Sequence, residues 1–145
     1  MDTKKFITGT LVGGITFFIL GFLIYAVLLE GFFAANAGSA TGVDKTEHMV
    51  WWSLVLGNLS AAALLSYIFL KWAHISTFKS GLSAGAVIGL FINLSWDMTM
   101  FATSNLMSLT GALVDVVAWT IAFAIAGGVI GAVLHAKPHP EAAVA

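Results

Sequence analysis

Four long apolar stretches restrict what this chain can fold into more than any other feature of its sequence. They lie at about residues 6–29, 50–70, 82–102 and 109–134. Each has the roughly 20 apolar residues that a helix needs to cross about 30 Å of hydrocarbon. Of the 145 residues, 59% are hydrophobic and only 9% are charged, whereas soluble domains have about 25% charged residues. The sequence therefore predicts a single all-α domain, an antiparallel up-down bundle of four transmembrane helices in a lipid bilayer.

The rest of the composition argues against several classes of function. The net charge is -1 and arginine is absent, so the basic face of a nucleic-acid-binding protein is missing. Cysteine is also absent, which removes thiolate metal ligands and cysteine nucleophiles. No histidine lies within a predicted span or has a helical partner at metal-ligand spacing, so neither a haem nor another metal site is indicated. Because no phosphate-binding loop or nucleophile motif occurs either, we expect no cofactor and no enzyme activity.

The lysines predict the orientation of the chain in the membrane. Cytoplasmic connections carry an excess of positive charge. Five of the six lysines precede the first span, lie between the second and third, or follow the fourth, and one lies on the other side: Lys4, Lys5, Lys71, Lys79 and Lys137 against Lys45. We therefore expect both termini on the cytoplasmic side of the membrane, with residues 135–145 forming a flexible cytoplasmic tail.

Glycines recur at steps of four residues on three of the spans. Such G-x-x-x-G patterns let helix backbones approach closely in lipid, where no hydrophobic force drives helices together. We expect these residues to pack helices against one another, and leave open whether one such face joins two protomers of a homodimer. They are Gly9 and Gly13 on the first span, Gly81, Gly85 and Gly89 on the third, and Gly127 and Gly131 on the fourth.

An aspartate lies inside each of the last two spans. The four-residue steps that begin at Gly81 continue to Asn93 and Asp97, so these residues lie on nearly one face of a helix. Asp97 lies about five residues before its span ends, and Asp115 lies about six residues after the next span begins, so both are roughly 7–9 Å deep. A short turn makes these two spans antiparallel neighbours, which predicts that the carboxyls meet. Further candidates for the same polar site are Asn58, Thr99 and Trp119.

The physical state of this acid pair is open at the level of sequence. No lysine lies at that depth, and charged groups inside a membrane are costly. The acids could be protonated and act as neutral hydrogen-bonding groups, line a water-filled cavity open to the outside, or bind a proton or cation that moves.

Two stretches resemble small bacterial four-helix membrane proteins of unknown function. "GTLVGGITFFILGFLIYAVLLEGFF" is similar to a first helix that ends in an aromatic, tyrosine-bearing segment. "WDMTMFATSNLMSLTGALVDVVAWT" is similar to a third helix with an acid followed by Thr and Asn, and a fourth with Asp before Trp. The resemblance implies an architecture, a location in a bacterial inner membrane and a set of signature positions, but no activity. Those positions are Asp97, Thr99, Asn105, Asp115 and Trp119.

Two functions of different classes follow as hypotheses. The first is a membrane protein with a polar intramembrane site that moves or senses a proton, a cation or a small solute. The second is a non-catalytic accessory or assembly subunit of a larger membrane complex, in which the glycine faces bind the partner and the acids only form hydrogen bonds.

Overall fold

Helices form most of the described backbone. The computed structural model describes residues 2–43 and 45–135. The elements are α1 (Thr3–Phe22) with a π-helical extension (Leu23–Leu28), α2 (Glu30–Ala35), a 3-10 turn (Thr46–His48), α3 (Trp51–Ile68) with a π-helical extension (Phe69–Ala73), α4 (Phe78–Thr103) and α5 (Leu109–His135). Four segments are long and apolar enough to cross a membrane: Thr3–Leu28, Trp51–Ala73, Phe78–Thr103 and Leu109–His135. The predicted all-α bundle with four spans is confirmed. Of the predicted tail, residues 136–145 lie outside the described residues.

Local side-chain chemistry sets several helix ends. Asp2, Thr77 and Ser108 precede α1, α4 and α5, and the side chain of each accepts the backbone N–H of the residue three positions later. This is the usual way to satisfy a donor that has no partner inside the helix. The π-helical extension of α3 ends at His74, which has a left-handed backbone with φ of 50°.

The observed spans extend beyond the predicted ones at the lysine-bearing ends. The third span begins at Phe78 rather than at residue 82, and the second ends at Ala73 rather than at residue 70. Lys71 and Lys79 lie inside these helical turns. A lysine can keep its charge at the membrane boundary while its methylene stem lies along the helix, so charge marks the boundary of the apolar region and not the end of the helix.

α5 is the central helix of the bundle. It packs along the whole of α4 and also contacts α1 and α3, while α1 packs against α3. The core lies where α1, α3 and α5 meet, around the fully buried Phe17, Leu65, Phe69 and Ile130. We call the end of the bundle with residues 29–50 and 104–108 the loop end, and the end with Lys4, Lys5, Lys71 and Lys79 the lysine end.

The glycines of α4 and α5 face each other within one chain. A Cβ on Gly81 would overlap the carbonyl oxygen of Gly127, and a Cβ on Gly131 would overlap that of Thr77. A Cβ on Gly85 would overlap a carbonyl oxygen of α5 in the same way. The two backbones are therefore in direct contact along the lysine-end half of the hairpin. The remaining glycines of the predicted set are also packed inside the chain: Gly89 against Phe123, Gly9 against Ser66, and Gly13 against Ile130 and Ala62.

This packing answers one question that the sequence leaves open. The glycine faces are filled by helices of the same chain, so they are not free surfaces for a second protomer or a larger complex. The expectation that they would form the partner-binding surface of an accessory subunit is wrong for this reason.

Candidate functional site

The structure brings the two intramembrane aspartates together between α4 and α5. Asp97 is 4% exposed and Asp115 is 8% exposed. Their carboxyl groups lie close enough to interact directly. Asp97 lies six residues from the end of α4 at Thr103, and Asp115 six residues from the start of α5 at Leu109, so each lies about 9 Å below the loop end. The meeting of the two acids that their spacing predicts is confirmed.

Tyr25 completes this site from the first span. Its hydroxyl donates a hydrogen bond to Oδ1 of Asp115, and its ring centroid lies 6.0 Å from that of Trp119. Trp119 and Asp115 are one turn apart on α5, so a single face of that helix presents both groups to Tyr25. The site therefore joins three spans, α1, α4 and α5.

The side chain of Tyr25 comes from the π-helical extension of α1. It lies within Leu23–Leu28, where the helix is wider than an α-helix. Short π-helical segments change the direction in which a side chain points and are frequent at functional sites. Sequence reasoning did not select Tyr25, but it is the one tyrosine in the first span, and α1 runs in the same direction as α4. Counting residues back from the loop end of the first span would therefore have placed Tyr25 near the depth of the acids.

Aromatic rings separate the acid pair from the lysine end of the bundle. Trp119 has its ring centroid 6.0 Å from that of Tyr25 and 6.3 Å from that of Phe17. Phe17 and Phe123 pack edge to face at 4.8 Å, and Phe17 is fully buried. These rings form an apolar layer directly below the polar groups, so the shortest approach to the acids is from the loop end.

One carboxyl oxygen has no partner. Oδ2 of Asp97 is buried and makes no hydrogen bond within the described residues. A buried polar atom without a partner costs roughly 1–3 kcal/mol, and such an atom is uncommon enough to require an explanation. In the described part of the chain, the groups that act on each acid are the other acid and, for Asp115, also Tyr25. No lysine is among them.

The other predicted site residues divide between the two faces of α4. Asn93 is 9% exposed and lies one turn from Asp97, with its side-chain N–H donating to the carbonyl of Gly89 at 2.7 Å. Thr99 is exposed on the opposite face, and its hydroxyl donates to the carbonyl of Ser95 at 2.7 Å. The prediction that Thr99 joins the acids is wrong, because residues two positions apart on a helix point about 200° from each other.

Asn58 and Asn105 also lie outside the acid pair. Asn58 donates to the carbonyl of Leu54 within α3 at 2.8 Å, and neither acid has it as a hydrogen-bond partner. The expectation that it joins them is wrong, because α3 packs mainly against α1. Asn105 is exposed in the turn between α4 and α5, where its backbone carbonyl accepts the N–H of Ala40 at 3.1 Å. Its contribution to the structure is therefore through the backbone.

The fold and this site define a class: a small multi-pass membrane protein with a buried pair of acids between two of its spans. Comparison of the chain with models of protein families, with curated protein sequences and with solved structures gives no match. The resemblance to small four-helix membrane proteins therefore stays a prediction, and the function has to be argued from the site itself.

Proposed function

We propose that the protein binds and releases one proton at Asp97 and Asp115, and that this exchange serves proton-linked transport or sensing at a bacterial inner membrane. The observation that supports this function most directly is the contact between two buried carboxyls without a cationic partner. Two carboxylates at close range repel each other and favour sharing a single proton. Such a pair has two states that differ by one charge, which is what a proton-linked device needs.

The hydrogen bonds divide the roles of the two acids. Tyr25 donates to Asp115, and a donated hydrogen bond favours the ionised form of a carboxyl. Within the described residues Oδ2 of Asp97 receives no such bond, so in this proposal Asp97 is the acid of the pair that takes up the proton more readily. In this proposal Asp97 is the proton carrier, Asp115 the fixed negative charge, and Tyr25 the positioning residue.

The charge distribution supports one orientation. Lys4, Lys5, Lys71 and Lys79 lie at the lysine end, and Lys45 lies in the connection at the loop end. By the positive-inside rule the lysine end is cytoplasmic and the loop end faces outward. The acid pair then exchanges its proton with the outer side. In this proposal the protein binds protons and does not catalyse a reaction.

Infrared difference spectroscopy of the protein in lipid tests proton binding. The protonated-carboxyl band should appear and disappear as the pH is stepped, and Asp97→Asn should abolish that band. Glu47→Gln is the matched control, because Glu47 is exposed in the loop-end connection. A band that persists in Asp97→Asn, or the absence of a titrating band in the wild type, would contradict the proposal.

Proteoliposomes with an internal pH indicator test whether the proton moves. After an imposed pH gradient, the wild type should change the internal pH faster than liposomes that contain Asp97→Asn. Equal rates, together with a band that titrates, would restrict the function to sensing.

An accessory role is a second candidate, because α4 leaves large aromatic side chains on a face that no helix of the described residues covers. The face of α4 that points away from α5 exposes Phe91 and Trp96, each 66% exposed, on either side of Ser95. This surface lies either against lipid or against another membrane protein. Photocrosslinking from Trp96 in native membranes, followed by identification of the product, tests the role. Crosslinks to lipid alone would remove the accessory function.

A further inference from the structure

The connection after the first span covers the acid pair at the loop end. α2 (Glu30–Ala35) follows the π-helical segment that carries Tyr25, with Leu29 as the joint between them. The ring of Phe33 on α2 stacks on the ring of Tyr25, with centroids 5.1 Å apart and planes at 27°. The side chain that donates to Asp115 is therefore covered from the loop end by a ring of this connection.

Residues 36–40 fix this cover to the turn between α4 and α5. Ser108 donates its backbone N–H to the carbonyl of Asn36 and its hydroxyl to Oδ1 of Asn36, both at 2.8 Å. Gly38 donates to the carbonyl of Leu106 at 2.9 Å. A Cβ on Gly38 would overlap the carbonyl of Asn105, so the two segments are in backbone contact. We call the Asn36–Ser108 pair of hydrogen bonds the latch.

The helical part of the cover is held less firmly than residues 36–40. α2 has no buried residue, and a Cβ on Gly31 would meet nothing within 4 Å. Segments with few buried contacts open at low free-energy cost compared with the core. The joints at its two sides are also suited to bending, since Leu29 is in neither adjoining helix and Gly42 has a φ of 69°.

We propose that residues 30–40 are a lid that controls access to the acid pair from the loop end, and that the latch holds the lid closed. This inference rests on the proposed proton-binding function for its purpose. Opening moves Phe33 away from Tyr25 and admits water to Asp97. Closing isolates the acid pair between Phe33 on the loop-end side and the apolar rings around Phe17 on the lysine-end side. The lid therefore sets the rate of proton exchange and not the affinity.

A reversible disulfide tests the lid directly. The chain has no cysteine, so Ala37→Cys with Met107→Cys introduces the one possible pair. These residues face each other in an antiparallel bridge. The hydrogen bonds of this bridge join the residues on either side, Gly38 to Leu106 and Ser108 to Asn36. Ala37 and Met107 are therefore a non-hydrogen-bonded pair, whose Cα atoms are typically about 4.5 Å apart. That distance falls within the range a disulfide spans.

The oxidised variant should exchange the proton of Asp97 at least about tenfold more slowly after a pH jump than the same variant after reduction, while the equilibrium titration stays the same. Tenfold corresponds to about 1.4 kcal/mol in a free-energy difference. Equal rates in the oxidised and reduced forms would overturn the lid while the proton site stands. A carboxyl band that never titrates would overturn the proton site and leave the lid to the second measurement.

That second measurement needs no proton exchange. Gly111 is buried on the first turn of α5, where a Cβ would lie 3.2 Å from Cβ of Asn36, so the lid covers this position. The thiol of Gly111→Cys should react with a membrane-impermeant maleimide about tenfold faster when Gly38→Ala is added, because the added methyl forces the lid off the turn. Gly31→Ala is the matched control and should leave the rate unchanged. Equal rates in the two alanine variants would overturn the lid.

Discussion

The hydrogen bond between Tyr25 and Asp115 gives the sharpest quantitative test of the site. The change is a double-mutant cycle with Tyr25→Phe and Asp115→Ala, in which the phenylalanine keeps the ring against Phe33 and Trp119 and loses only the hydroxyl. Hydrogen bonds to charged groups contribute about 1.5–3 kcal/mol in soluble proteins. Cycles in membrane proteins average about 0.6 kcal/mol and reach about 1.7 kcal/mol. Because this bond joins a buried carboxyl and a hydroxyl across two helices, we expect a coupling of about 1–1.5 kcal/mol, near the upper membrane values.

The assay is reversible unfolding in mixed micelles at neutral pH, with the free energy of unfolding extrapolated to the absence of denaturing detergent. All four proteins of the cycle are measured under one condition, so that the effects of the lost phenol and the lost carboxyl on their other neighbours cancel. The control cycle pairs Tyr67→Phe with Asp115→Ala, since Tyr67 packs against Trp72 near the lysine end and should show no coupling. A Tyr25–Asp115 coupling within about 0.3 kcal/mol of zero, which is the usual error of additivity, would refute the assignment of Tyr25 as the positioning residue.

Three further predictions concern packing, capping and the limits of the site. Gly85→Ala should lower the free energy of unfolding by about 1–3 kcal/mol, because its methyl would overlap a backbone carbonyl of α5. The control Gly57→Ala should not lower it, because a Cβ there meets nothing within 4 Å. Similar losses in the two variants would contradict the close approach of α4 and α5. Lys5→Met should cost about 0.5–1.5 kcal/mol, because the ammonium group donates to a carbonyl in the last turn of α5 at 2.9 Å, and the exposed Lys4→Met is its control in the same unfolding assay. Thr99→Val should leave the titrating carboxyl band unchanged, and a shifted band would place Thr99 back in the site.

The sequence is sufficient for the fold because the bilayer leaves few alternatives. An apolar stretch of about 20 residues in lipid has to satisfy its backbone internally, so helix is the one local structure open to it here. The short turn at 104–108 then makes α4 and α5 neighbours. The depth of Asp97 and Asp115 follows from counting residues, and for this reason their meeting could be predicted.

The faces of the helices were harder to predict than their positions. Thr99 was included because it is close to Asp97 in sequence, yet two residues along a helix change direction by about 200°, and that rotation alone excludes it. Asn58 was included for its depth, but depth does not say which helices are neighbours. α3 follows α1 around the bundle and packs mainly there. Tyr25 shows the opposite error, since a phenol near the end of an apolar span looks like an ordinary interfacial residue.

The packing of the hairpin and the chemistry of its acids depend on one another. An aspartate has a single methylene, so carboxyls from two helices can meet only where the backbones are unusually close. That closeness is produced farther down the same hairpin, where Gly81 and Gly85 contact the α5 backbone directly. The glycines thus reduce the distance between the helices, and the acids occupy the continuation of the same faces toward the loop end. In the proposed state one negative charge is tolerated at this depth, because the close backbones bring the protonated acid to the ionised one and Asp115 also accepts the hydroxyl of Tyr25. The small residues that look like a dimerisation motif are therefore part of the construction of the polar site.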